Sequence, residues 1–514
     1  MTHTPKVPRC SPKKMDIYDL YKPFRNQLRK LALRPSLERI WAYQRNTDVA
    51  GMVRLPIRGG QWFELYTWEL HLLCREIMLH ADGNDDTLST IDGLLSLVNH
   101  VRRIDEQISG RIVNSERSAM EALHPRIHQQ ARWQNADYGA AIFRAFHIYG
   151  TPEITPIFEQ ATGATVQVVY TLAMILGGAA KRHAYTSPTQ DYSAFGVSAT
   201  MRDAFFQRIA ATSEQIREEL RALQRYDETW AYTWNALEKY PLIRLNVSGT
   251  PGLCCPLPDL LLRRVTEGLF YDLLNTDKHF GDRYGRAFER YVGLVLSELF
   301  DESTFTVVPE QVYMVKKNQK HGVDWIVSDA TGNLFLECKA RRIGQQAKEA
   351  MAGAALEASI DELARVVVQH YRNIDDAVSG LTKWSPNGLP VYPFVVTYED
   401  WYLFAPHVVD LLIIAVRRRL VEAGLAPNLI ETMPFFVTSI AELEKAGQAI
   451  AYLGIRRFCE ACSLSAHRHF KLSDFASTEF PNETIAYRPL LQESWQAIFS
   501  HIPHVLEQLP VQPA

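Results

Sequence analysis

Asp324, Glu337 and Lys339, in the stretch 321–342 (HGVDWIVSDATGNLFLECKARR), have the side-chain types and spacing for phosphodiester chemistry. Residues 323–327 are rich in Val, Ile and Trp, and residues 334–339 alternate Leu, Phe and Leu with polar side chains. Between them Ser-Asp-Ala-Thr-Gly-Asn is a dense turn signal, in which Gly332 and Asn333 tolerate positive φ. The pattern predicts a β-hairpin. Side chains two apart on a strand share a face, so Phe335, Glu337 and Lys339 project one way and Leu336 and Cys338 the other. Folding the hairpin brings Asp324, at the start of its first strand, toward Glu337 and Lys339. Two hard oxygen ligands beside an ammonium group suit Mg2+-dependent hydrolysis of a phosphodiester. The alternative is an amphipathic hairpin whose polar face is simply solvated.

The elements around the hairpin must hold these groups in place. Upstream, residues 282–300 read as a helix with Phe288, Val292, Val295, Leu296 and Leu299 on one face. Glu289 falls at the edge of that apolar arc, where a carboxylate needs a partner. It either joins the acid pair or bridges to Arg286 or Arg290. Residues 304–308 and 311–315 read as strands, and 345–378 as an Ala-rich helix divided near Ile360 and Asp361. Then follow a strand or hairpin over 389–404, a helix over 406–424 and a strand over 434–438. Ser439 and Glu442 form a capping box that opens another helix.

Helix, hairpin and helix in this order, with an Asp followed by Glu-x-Lys, resemble the PD-(D/E)XK nuclease superfamily, the restriction-endonuclease-like fold. Asp324 matches the motif's Asp and Glu337-Cys338-Lys339 its second half, while Val323 stands where a Pro often precedes the Asp. The resemblance covers about residues 282–404 and implies an α/β domain with a mixed central sheet flanked by helices. It also implies Mg2+, with Mn2+ as a substitute, bound by Asp324, Glu337 and Glu289, with Lys339 orienting or helping to deprotonate water. DNA is the favoured substrate on the same ground. One branch of the superfamily carries a Gln and a Tyr four apart on the following helix; Gln369 and Tyr371 are two apart, which leaves Gln369 an additional candidate only.

Basic side chains flank the triplet. Lys316, Lys317, Lys320 and His321 precede Asp324, and Arg341 and Arg342 follow Lys339. Such runs are usually solvated loops, but on both sides of a metal site they are placed to hold a phosphate backbone.

The whole chain has 514 residues, 47% hydrophobic and 22% charged, too long for one ordinary core and typical of a globular protein of two or three domains. A net charge of −3 excludes a uniformly basic nucleic-acid coat but not a local basic groove. Helical spacing predicts an all-α domain over 1–250, with helices at 62–80, 87–109, 114–149 broken near Pro125, 155–163, 166–180 and 199–238. The Gly-, Pro- and Ser-rich stretch 246–258 marks a boundary, giving a linker and connecting helix over 251–280, the nuclease-like domain over 281–455 and a helical extension over 456–514. His124 and His128 read as surface residues. Trp230 and Trp234 read as core packing rather than a base-stacking pair.

Cys459, Cys462, His467 and His469 have ligand types for Zn2+ but not the spacing of common zinc modules, so metal-free packing is expected there. Seven sparse cysteines point to a reducing, cytoplasmic setting, and the first sixteen residues read as a basic arm rather than a secretory signal. The apolar stretch 164–180 is at the lower limit for spanning a bilayer and reads as a buried helix. The resulting expectation is a cytoplasmic endonuclease acting on nucleic acid, with the helical part regulating cleavage in defence against phage or foreign DNA, alone, as a homo-oligomer or with a regulatory protein. The rivals are an inactive nuclease-fold scaffold and a nuclease that cuts RNA or serves transposition.

Overall fold

The structure, a computed structural model, describes residues 16–502 apart from 135, 404, 465, 466, 468 and 483–486, and apart from the side chain of residue 58. The basic arm before residue 16 lies outside the described residues. Helices dominate the first half of the chain, but short strands interrupt them. Strands β1 (Met52–Pro56) and β2 (Trp62–Tyr66) pair antiparallel, so the helix expected over 62–80 begins at Thr67. In β2 only Leu65 is buried while Trp62, Glu64 and Tyr66 face solvent, a strand period too brief to stand out within a longer helical window.

The helix expected over 199–238 is also divided. Ala199–Ile209 ends in β4 (Ala210–Thr212), and a second helix, Ser213–Leu223, starts on a capping box between Thr212 and Gln215. The stretch 246–258 is not an open linker. It contains the turn of a hairpin, β5 (Leu242–Val247) and β6 (Thr250–Cys254), with Ser248 and Gly249 at φ of 52° and 83°. Together with β3 (Tyr185–Thr186), these strands make a sheet in the order β3-β6-β5-β4. The first half is therefore predominantly helical rather than all-α.

In the second half β7 (Thr306–Pro309), β10 (Trp325–Ser328), β11 (Asn333–Lys339), β12 (Val391–Thr397) and β13 (Phe436–Ser439) form one mixed sheet ordered β13-β12-β11-β10-β7. Strand β10 runs antiparallel to β7 and β11, whereas β11, β12 and β13 are parallel. Parallel neighbours need long crossovers, supplied here by the helices Ala354–Val378 and Pro406–Glu422. Between β7 and β10 a separate exposed hairpin, β8 (Val312–Val315) and β9 (Asn318–His321), stands off the sheet. The break in the 345–378 helix comes at residues 350–353, not at Ile360; Asp361 lies within the longer helix and pairs with Arg418 and Arg419.

Alternation sorts the buried strand residues between two helical layers. Leu334, Leu336, Cys338, Phe394 and Val396 pack with the helices Phe280–Leu299 and Ile440–Leu453. Phe335 packs with Ile374 and Ala377, and Val395 with Val367 and Val416, on the crossover layer. The first of these cores also takes in Ile142 to Leu176 and reaches Ile498, so apolar packing is continuous across residue 250. His124 and His128 are buried rather than superficial: His124 Nε2 lies 3.0 Å from the Ala347 carbonyl, and the His128 ring meets Tyr402. Trp230 is fully buried. Among the described residues no single helix is long and apolar enough to cross a membrane; Thr155–Thr162 and Val166–Ala180 reach that length only as a pair bent by 52°.

Candidate active site on the β10–β11 hairpin

The register Trp325↔Leu336 to Ser328↔Asn333 closes the predicted hairpin. Its turn is held by Asp329, whose Oδ1 accepts the Thr331 and Gly332 N–H groups at 2.7 and 2.8 Å. Asp324, one residue before β10, accepts the Cys338 N–H on Oδ2 at 2.5 Å, which fixes its carboxylate across from Glu337. Lys339 Nζ donates to Glu337 Oε1 at 2.7 Å. Both carboxylates are nearly closed to solvent, Asp324 at 9% and Glu337 at 6% exposure.

Electrostatics ties Glu289 to the group. Burial pushes the Asp324 carboxyl well above its ordinary range; Glu337 and Glu289 add to the effect and Lys339 opposes it. Glu289, half-buried, is likewise raised by burial, with Lys339 opposing and Glu310 and Glu337 adding. Burial would lower Lys339, but Glu337 and Asp324 outweigh it and hold the ammonium charged. The position of Glu289 follows from packing: Trp325 Nε1 donates to the Glu289 carbonyl at 3.0 Å. The same indole lies so close to Gly293 that a Cβ there would come within 2.2 Å of it.

His370 belongs to this site and was not singled out in the sequence. It lies on the crossover helix, fully buried, with Nε2 3.0 Å from the Phe335 carbonyl. A carbonyl only accepts, so Nε2 carries the proton in that bond. Nδ1 then faces Glu337 Oε2 at 3.7 Å, and neither atom has a hydrogen-bond partner. The signal was present in Val366, His370 and Ile374, spaced by four along one apolar face. Its neighbour Gln369 is exposed and donates instead to Asn373 at 3.0 Å.

The basic residues divide into three groups. Lys316 and Lys317 are exposed at the tip of the β8–β9 hairpin, Lys316 at φ 55°. Lys320 binds Asp376 at 2.6 Å, His321 lies 3.1 Å from Glu310, and Arg341 binds Glu362 at 2.8 Å. Arg342, expected on a phosphate path, is turned inward instead. Its guanidinium lies 4.3 Å from the Phe270 ring centre and 4.7 Å from that of Tyr398, and it donates to the Glu267 carbonyl, because aromatic rings on both sides offer it a better site than solvent.

Cys459 and Cys462 are buried on the helix Ile455–Cys462, His467 Nδ1 is 3.0 Å from the Ala461 carbonyl, and His469 is exposed. Among the described residues no three His, Cys, Asp or Glu side chains are grouped so as to hold an ion as they stand. At the hairpin, the Lys339 ammonium is the cation facing Glu337. The donor chemistry nonetheless suits a hard divalent cation, because Glu337 Oε2 is a buried carboxylate oxygen without a partner and Asp324 is a carboxylate whose charge its surroundings oppose. Compared with protein-family models, with curated proteins and with solved structures, the chain finds no match.

Proposed function

We propose that this chain is a Mg2+-dependent nuclease that hydrolyses phosphodiester bonds of nucleic acid, with DNA the favoured substrate and a restriction-endonuclease-like domain as its catalytic part. The observation that carries the reading is the gathering of Asp324, Glu337 and Lys339 at one end of a buried hairpin, within electrostatic reach of Glu289. A mixed sheet with helices on both faces, and a helix carrying the third acid before the hairpin, support it further.

Asp324 and Glu337 would hold the cation, with Glu289 as a third acid directly or through water. Bound Mg2+ supplies positive charge at the phosphate and acidity for an attacking water. Lys339 orients that water and steadies the charge that builds on the phosphoryl oxygens. His370 fixes the Phe335 backbone and forms the wall behind Glu337. Lys316 and Lys317 would contact the phosphate backbone from the tip of the β8–β9 hairpin. The large helical part restrains or triggers cleavage in a bacterial defence role, a step that rests on analogy with the superfamily.

Plasmid cleavage by wild type and by Lys339→Ala, each with Mg2+ and with EDTA, tests the assignment. Cleavage is expected in the wild-type Mg2+ lane and a loss of orders of magnitude elsewhere; equal activity in all four lanes rejects the site. Single-stranded DNA, duplex DNA and RNA assayed side by side distinguish the substrate.

A further inference from the structure

A second site lies in the first half of the chain, where three helices end together. The helices Ile17–Leu28, Thr67–His80 and Ser213–Leu223 bring their C-terminal ends to a cavity of about 330 Å³. Arg25, Arg29, Arg217 and Arg221 line it, and Asp82 is the one carboxylate in the lining. Among the described residues none of the four guanidinium groups is ion-paired with a carboxylate. Arg25 bonds Tyr18 and Asn26, and Arg217 donates to the Met78 and Ala81 carbonyls at 3.0 and 2.8 Å.

Helix C-termini attract arginines, and the three helix ends account for part of this cluster. Each end carries roughly half a negative charge. Three such ends and Asp82 offset only part of four full positive charges, and the remainder exceeds one unit. Gln224 and Arg25, which line the cavity, also carry polar atoms that nothing in the protein satisfies: both amide atoms of Gln224 and the Nε of Arg25 are closed to solvent and without a hydrogen-bond partner. Such groups cost free energy unless a ligand or water meets them. His80 adds no charge, since burial, with Arg25, Arg29 and Arg217 contributing, holds it down to about 4. Tyr226, half-buried, also lines the cavity, its ring packed against Tyr18 and Tyr21.

We propose that this cavity binds a phosphorylated small molecule of nucleotide size carrying at least two negative charges. The guanidinium groups meet phosphate oxygens as paired donors, the partnerless Gln224 amide turns to a polar group of the ligand, and Tyr226 contacts the remainder of the ligand. The site is remote in sequence from the acids of the hairpin and does not depend on the nuclease assignment.

The test is calorimetric titration and thermal unfolding of the full chain in EDTA, which keeps divalent cations out of the acid site. The probes are ATP, inorganic pyrophosphate and adenosine. ATP and pyrophosphate are expected to bind with a sub-millimolar Kd and to raise the Tm, while adenosine does neither. Arg29→Gln combined with Arg221→Gln alters two exposed side chains without ion pairs, so the unliganded Tm should hold while affinity falls about tenfold or more. Gln224→Leu, which removes a buried unsatisfied amide, should weaken binding without loss of stability. No saturable binding of ATP or pyrophosphate, equal binding by the double variant, equal binding of adenosine, or displacement of ATP by a blunt DNA duplex would each overturn the proposal.

Discussion

Asp324 is a carboxylate whose surroundings oppose its charge, and this has a measurable sign. Its pKa in the folded protein is raised above the unfolded value of about 4, so the folded state binds the extra proton. Its contribution to stability is complete below that unfolded value and is lost as pH rises through the folded one. Asp324→Asn keeps an oxygen for the Cys338 N–H and removes the charge. Urea unfolding at neutral pH should find it more stable than wild type by roughly 1–3 kcal/mol, with a flatter dependence on pH and no cleavage activity. Mg2+ or Mn2+ should raise the Tm of the wild type and leave that of the variant unchanged. His370 behaves differently, because it is neutral, buried and bonded to Phe335. His370→Ala should cost about 2–4 kcal/mol in chemical denaturation, whereas Gln369→Ala, at an exposed position one residue away, should stay within about 0.5 kcal/mol.

At the scale of elements, the contact between the Phe280–Leu299 helix and the start of β10 decides where Glu289 sits. Gly293 lets the edge of the Trp325 indole approach that helix closely, and the indole in turn donates to the Glu289 carbonyl. Gly293→Val should destabilise by about 1–3 kcal/mol through overpacking and should reduce metal-dependent cleavage further than its stability loss explains. Comparing urea midpoints with cleavage rates at a temperature where both proteins are folded checks this. Gly447→Ala meets only the flexible end of Leu299 and should cost less. These long elements were legible in the sequence, because an apolar stripe of five turns and an alternating pair of strands repeat often enough to be read. The short strands of the first half were not, since β2, β4 and β6 run three to five residues, too few for a period of two to stand out.

At the scale of the molecule, a buried ion pair joins the two halves. Arg144, on the helix Tyr138–Tyr149, binds Glu444 at 2.8 Å, and Tyr291 donates to the same carboxylate at 2.8 Å. Glu444→Gln leaves the buried guanidinium without its charge partner and should cost about 3–5 kcal/mol, read by thermal or urea unfolding. Because the largest core also draws on Ile142 to Leu176, the fragment 251–514 expressed alone should expose that face and bind a hydrophobic dye strongly, unlike the full chain.

Residue order alone determined the hairpin, its flanking helices and the shared face of Glu337 and Lys339, because these follow from periods of 2 and 3.6 that are local to the chain. Tertiary structure decided that His370 backs Glu337, that Arg342 turns inward among aromatic rings, and that four arginines from two distant helices meet over three helix ends. Those contacts join residues separated by tens to hundreds of positions. Their partners are chosen by packing and charge in three dimensions, and no local pattern in the chain encodes which pairs will meet.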